Sequence, residues 1–217
     1  MKPLIYSFSL LSLVCLNAFA GSSLQYEYFA MNDASGNPIL TGGGVFAMIL
    51  DNDQNGSLPG GFTYTPNLFQ SANPTNASAL ALAFGGQALN VGTNIGGNII
   101  HELKIIDNLD SGIPGYIQGV AAFDDSLINT RYGIYWFPGF VVGQTIPTNA
   151  PFQVGAVVDG TLADLRRTGF VTPPNNVERA WSASDFNINA IVVPEPSSLL
   201  LSSLALSGLF IRRRAAN

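Results

Sequence analysis

The sequence predicts an all-β fold, an antiparallel β-sandwich-like domain, and three observations predict it. Short runs rich in aromatic and β-branched residues recur along residues 21–192. Clusters of turn-forming residues separate them: NDASGNP at 32–38, DNDQNGSLPGG at 51–61, DNLDSGIPG at 107–115 and VTPPNN at 171–176. Glycine and proline are abundant, 23 and 13 residues, as many short connected strands require.

The candidate strands follow in order. Residues 24–30 (LQYEYFA) alternate in part between apolar and polar, the period of a half-buried strand, and residues 44–50 (GVFAMIL) form a continuous apolar run. Residues 80–84 and 98–106 (NIIHELKII) come next, then 116–123, 132–137, 152–158 and 186–193. A short helix at 162–168 or 180–186 is compatible with the same class, and no repeat of solenoid period is present.

Both ends of the chain read as targeting segments, to be set aside before fold reasoning. Lys2 supplies a positive charge, residues 4–16 an apolar stretch, and Ala18-Phe19-Ala20 an A-x-A site. Residues 1–20 are therefore expected to be a secretory signal, cut by a signal peptidase before Gly21. The single cysteine, Cys15, lies inside that signal behind Val14, where a lipidation site needs a small residue. The exported chain then contains no thiol, so its stability must come from core burial rather than disulfides. Between Gly21 and Val193 there are five basic and thirteen acidic residues, a net charge of −8. That sign repels phosphate backbones, which argues against nucleic acid as a partner.

Residues 197–211 (SSLLLSSLALSGLFI) are uncharged and leucine-rich, and Arg212-Arg213-Arg214 follow at once. A helix from Pro196 to Ile211 is roughly 24 Å long, slightly short of a hydrocarbon core of about 30 Å. Snorkelling arginines and local thinning make up the difference. The three arginines predict an orientation with the C-terminus in the cytoplasm and the domain outside. Ahead of the helix stands Pro194-Glu195-Pro196, where the two prolines hold the backbone extended.

The tripeptide, the apolar stretch and the arginine cluster, in that order, make residues 193–217 resemble the PEP-CTERM sorting domain. The resemblance covers about a tenth of the chain. It implies processing by an exosortase, a membrane transpeptidase that recognises the Pro-Glu-Pro region and removes the helix. It further implies a Gram-negative bacterium, often one that makes exopolysaccharide, a transient inner-membrane stage, and a final place in the outer envelope, cell surface or extracellular matrix.

Within residues 21–192 the candidates for chemistry are sparse. Asp51-Asn52-Asp53-Gln54-Asn55-Gly56 matches the first half of a calcium loop, with oxygens at positions one, three and five and glycine at six. Position twelve, however, is Phe62 instead of a bidentate carboxylate, and Pro59-Gly60-Gly61 precludes an exiting helix. A polar turn between two strands is the expectation for Asp51, Asp53 and Asn55. His101-Glu102 is the one place where a histidine adjoins a carboxylate; with one histidine and no G-x-S-x-G elbow, a strand histidine is expected. Asp124 and Asp125 are adjacent, so on a strand they point to opposite faces. The Gly42-Gly43-Gly44 and Gly96-Gly97 stretches lack the lysine and spacing of a phosphate cradle.

Tyr132–Gly139 is the densest aromatic segment. Its rings fill a sandwich core on the simplest reading; Tyr135 and Trp136, with Trp181, are the candidates for stacking on sugars. The sequence thus predicts a non-enzymatic exported surface or matrix protein without a cofactor. A carbohydrate-binding module for an exported polysaccharide is the first alternative, and a secreted hydrolase using carboxylates the second.

Overall fold

The computed structural model describes residues 22–28, 31–106, 114–123, 127, 130–160, 176–181 and 188–194. The expected signal (1–20, with Ala18 and Ala20), the candidate helix at 162–168, Asp124, Asp125, and everything from Glu195 onward lie outside them.

Among the described residues, the strands in chain order are β1 (Ser22–Tyr28), β2 (Met31–Asn32), β3 (Gly44–Leu50), β4 (Ser57–Leu58), β5 (Phe62–Thr63) and β6 (Phe69–Ser71). After one helix, α1 (Ala77–Phe84), come β7 (Asn94–Ile95), β8 (Asn98–Ile105), β9 (Ile117–Phe123) and β10 (Tyr132–Pro138). The last four are β11 (Phe152–Asp159), β12 (Asn176–Trp181), β13 (Ile188–Asn189) and β14 (Ile191–Val193). The expected strand at 186–193 is thus divided around Ala190, with β13 on β2 and β14 on β11.

The main sheet has the order β14-β11-β10-β3-β8-β7, with β6 added on β11, and a smaller sheet has the order β12-β1-β9. The pairs within the main sheet are antiparallel. Two pairings outside it are parallel, β1 with β12 and β2 with β13, so the fold is β-rich but not purely antiparallel.

The two faces of the main sheet bury two separate cores. Phe46, Met48, Leu50, Ile134 and Trp136 point toward the small sheet, where Leu24, Tyr26, Tyr28, Ala121 and Phe123 meet them. Val45, Ala47, Ile49, Tyr135 and Phe137 point the other way, onto Leu80, Ala81 and Phe84 of α1. A strand covered on both sides must be apolar at every position, which is why GVFAMIL reads as a continuous run. Strand β9, covered on one face only, alternates instead: Ile117, Ala121 and Phe123 are buried, Gln118, Val120 and Ala122 exposed.

The expected strand at 80–84 is corrected: these residues close a helix. A single 3₁₀ turn, Pro74–Asn76, leads into it; Asn73 caps that turn by accepting the Thr75 N–H (2.9 Å), and Pro74 opens it. Ala77, Leu80, Ala81 and Phe84 are buried, the i, i+3, i+4, i+7 stripe of a helix, while Leu82 is 86 % exposed. The window LALAF contains too little chain to distinguish that period from alternation.

Candidate functional site

The C-terminal end of the described chain leads straight out of the main sheet. β14 is an edge strand, with Val193 opposite Phe152, Val192 opposite Gln153 and Ile191 opposite Val154. Val193 is fully buried in the α1-side core while Val192 between its neighbours is exposed. Pro194 is half-buried and immediately follows, so no spacer separates the folded sheet from the Pro-Glu-Pro tripeptide. Glu195, Pro196, the apolar stretch and Arg212, Arg213 and Arg214 lie outside the described residues. Among the described residues no helix is long and apolar enough to cross a membrane.

The Asp51 loop connects β3 to β4, so the expectation of a polar turn between strands describes its place in the chain. Asp51 is 1 % exposed, and one of its carboxylate oxygens, Oδ2, accepts the Gly56 N–H at 2.8 Å. Gly56 has φ +81°, which favours glycine at the sharp turn. Asp53 accepts from the Asn55 side-chain amide (2.9 Å), and Asn55 Oδ1 accepts the Ser57 N–H (2.6 Å). Burial pushes the Asp51 carboxyl above the usual carboxylate range; the Gly56 N–H opposes this, and neighbouring Asp53 adds to it. Among the described residues no three His, Cys, Asp or Glu side chains converge as a metal cluster.

The loop also has a neighbour that sequence reasoning missed. The Asp53 carboxylate lies directly on Gly97 in the β7–β8 turn: a Cβ there would fall 2.1 Å from Asp53 Oδ2. The signal was present in Gly96-Gly97 between two strand-like segments, a hairpin mark rather than a failed phosphate cradle.

His101 is on β8, as the sequence led one to expect of a strand histidine. Its Nε2 lies 2.9 Å from the Ala122 carbonyl oxygen, and its ring stacks on Phe123 at 4.5 Å between centroids. Glu102 accepts the Tyr26 hydroxyl at 2.6 Å and lies 3.9 Å from Lys104 Nζ. Burial first, then Glu102, pushes the Tyr26 phenol well above its usual range. Lys104 in turn donates to the Gln118 carbonyl at 3.0 Å, so β8 side chains tie the edge of the main sheet to β9. An open groove of about 530 Å³ runs beside this tie, with Ile105, Tyr116, Ile117, Gln118 and Val142 among its walls.

The sugar-stacking candidates are corrected where their side chains are described. Tyr135 is 0 % exposed and donates its hydroxyl to the Pro59 carbonyl (2.8 Å); Trp136 is 1 % exposed and donates to the Asn32 carbonyl (3.0 Å). Both faces of β10 are inside cores, so neither ring has a surface to offer. The Trp181 side chain lies outside the described part of β12. Among the described residues no aromatic ring is exposed; the exposed large apolar side chains are aliphatic, such as Leu82, Leu40 and Val91.

Neither the curated proteins nor the solved structures yield a match to this chain. Residues 192–214, which begin inside β14 and run through the tripeptide, the apolar stretch and the arginines, match the family model of the PEP-CTERM protein-sorting motif.

Proposed function

We propose that this chain is an exported cell-surface or extracellular-matrix protein whose β-rich domain has a non-catalytic role. The match of residues 192–214 to the PEP-CTERM sorting motif carries the reading, since that motif marks a protein sorted to the cell surface by way of an exosortase. In this reading a signal peptidase removes residues 1–20 and the tail holds the domain at the inner membrane, the C-terminus inside. The exosortase then cuts near Pro194-Glu195-Pro196 and releases the domain to the envelope or matrix, where exported polysaccharide is the surrounding polymer. The fold supports the non-catalytic part: His101 is occupied by a backbone carbonyl and a stacked ring, and Glu102 by Tyr26.

Replacing Glu195 tests the sorting step. Glu195→Gln keeps shape and removes the charge between two prolines that hold the segment extended. In a host with its exosortase intact, the variant is expected to be exported with the signal removed but to retain the tail, read as the mass of the envelope-associated chain. Tail loss at the wild-type rate would refute recognition through Glu195. Tail loss in an exosortase-deleted strain would refute the whole route.

A further inference from the structure

The Asp51 loop does not account for all of its own oxygens. Asp51 Oδ2 is used by Gly56, but Asp51 Oδ1 is buried and has no hydrogen-bond partner. Asn98 is 4 % exposed; its amide nitrogen donates to the Ile95 carbonyl (3.3 Å), and its Oδ1 is likewise buried without a partner. The residues that carry these two acceptors are neighbours in the strand register. In the β3–β8 pair, Ile49 is opposite Ile100 and Leu50 opposite Ile99, so the next step of the register sets Asp51 beside Asn98. Ile49 and Ile100 share the α1-side core, and alternation puts Asp51 and Asn98 on that same face at the end of the strands. Asp53 closes the group from above, with its carboxylate against the backbone of Gly97, the residue before Asn98.

Two carboxylates in one loop, beside an amide oxygen of the neighbouring strand, with two buried acceptors unpartnered, form an arrangement that an entering cation would satisfy. Donors within the loop serve Asp51 Oδ2 and Asp53, but none reaches the two orphan oxygens. Arg131, the cation nearest in the fold, lies with its guanidinium over the Tyr64 ring at 4.3 Å and its Nη1 against Gly56. It forms no ion pair with either aspartate, and its Nε is itself buried without a hydrogen-bond partner.

We propose that Asp51, Asp53 and Asn55, completed by Asn98 at the start of β8, form a binding site for a hard divalent cation, Ca²⁺ in particular. The oxygen-only donor set excludes soft-metal preference. The spacing D-x-D-x-N-G with Gly56 at positive φ is that of a calcium loop in its first six positions. Phe62 stands where such a loop carries its bidentate carboxylate, and it is buried in the α1-side core. The missing oxygen is supplied from across the sheet, by Asn98. Asn52, Asp53 and Asn55 are exposed, so water can complete a coordination shell of six to eight oxygens. Bound there, the ion ties the β3–β4 loop to the β7–β8 turn. Lacking the bidentate carboxylate that a high-affinity loop carries at position twelve, the site is of the weak extracellular kind, with Kd on the order of 10⁻⁴ to 10⁻³ M.

The test uses the full chain in detergent, stripped with a chelator and desalted, titrated calorimetrically with CaCl₂ and separately with MgCl₂. Thermal melts follow with and without each salt. One saturable Ca²⁺ site per chain and a higher Tm in CaCl₂ are expected. Asp53→Asn, an exposed position, should melt like the wild type in chelator, bind Ca²⁺ about 10-fold more weakly or worse, and lose the Tm shift. Asp51→Asn keeps an acceptor for Gly56 and should lose binding as well. Absence of saturable binding overturns the site. Ca²⁺ binding undiminished in a folded Asp53→Asn variant overturns its location, and Mg²⁺ bound as tightly as Ca²⁺ overturns the choice of ion.

Discussion

The indole of Trp136 occupies space that only a residue without a side chain leaves open. Across the β10–β11 pair Trp136 is opposite Gly155, and a Cβ on Gly155 would stand 1.9 Å from the indole Cε2. The indole cannot swing away cheaply, because its Nε1–H is fixed on the Asn32 carbonyl and the rest is packed in the core between the sheets. Gly155→Ala is therefore expected to destabilise by about 1–3 kcal/mol through overpacking, seen as a lower urea midpoint at unchanged slope. An unchanged midpoint would mean that the indole has a second rotamer of equal energy. Gly119 follows the same logic more gently. Its missing Cβ would fall 2.4 Å from the Tyr26 hydroxyl and from Lys104 Nζ, one held by Glu102 and the other the flexible end of a long side chain. These glycines clear space for side chains across the sheets, which a sequence reading that treats glycine as turn punctuation does not detect.

At the scale of elements, α1 decides how well the second face of the main sheet is covered. Phe84 meets Tyr135 at 5.4 Å and Phe137 at 5.1 Å between centroids, both edge-on, the geometry aromatic rings prefer. Removing it opens a large cavity beneath β10, so Phe84→Ala should cost about 3–5 kcal/mol. Leu82→Ala, two residues earlier on the exposed side, should change stability by within about 0.5 kcal/mol. Denaturant melts of the two variants check the helix against the strand reading, in which residues 82 and 84 share one face and would respond alike. Strands whose burial is simple were legible in sequence: β3, apolar throughout because both its faces are covered, and β1, with Leu24, Tyr26 and Tyr28 on one side. What was not legible depends on partners distant in sequence. The parallel pairing of β1 with β12 joins residues some 150 positions apart, and Asn98 approaches Asp51 only through the β3–β8 register. The sorting motif was legible in full because its recognition depends on residue order, not on a fold.

For the whole molecule, the strand that completes the main sheet is also the first part of the sorting motif. Residues 192 and 193 belong to β14 and to the matched segment alike, and Val193 is sealed between Phe152 and the α1-side core. An enzyme that recognises Pro194-Glu195-Pro196 must therefore approach within one residue of a folded sheet edge. β14 is three residues long and antiparallel to β11, an edge strand weakly held by its own pairing but anchored by a buried valine. Two consequences separate a sheet that limits access from one that does not. Inserting a Gly/Ser spacer between Val193 and Pro194 leaves the core intact and moves the tripeptide away from it, so the tail should be removed faster at unchanged Tm. Val193→Asp places a charge in the core and frees β14, so it should lower Tm and also speed tail removal. Pulse-chase measurement of the tailed and tailless chain reads both. If the spacer leaves the rate unchanged while Val193→Asp raises it, global unfolding is the cause, and the sheet edge itself sets no limit. If neither variant alters the rate, the enzyme reads the tripeptide with β14 in place.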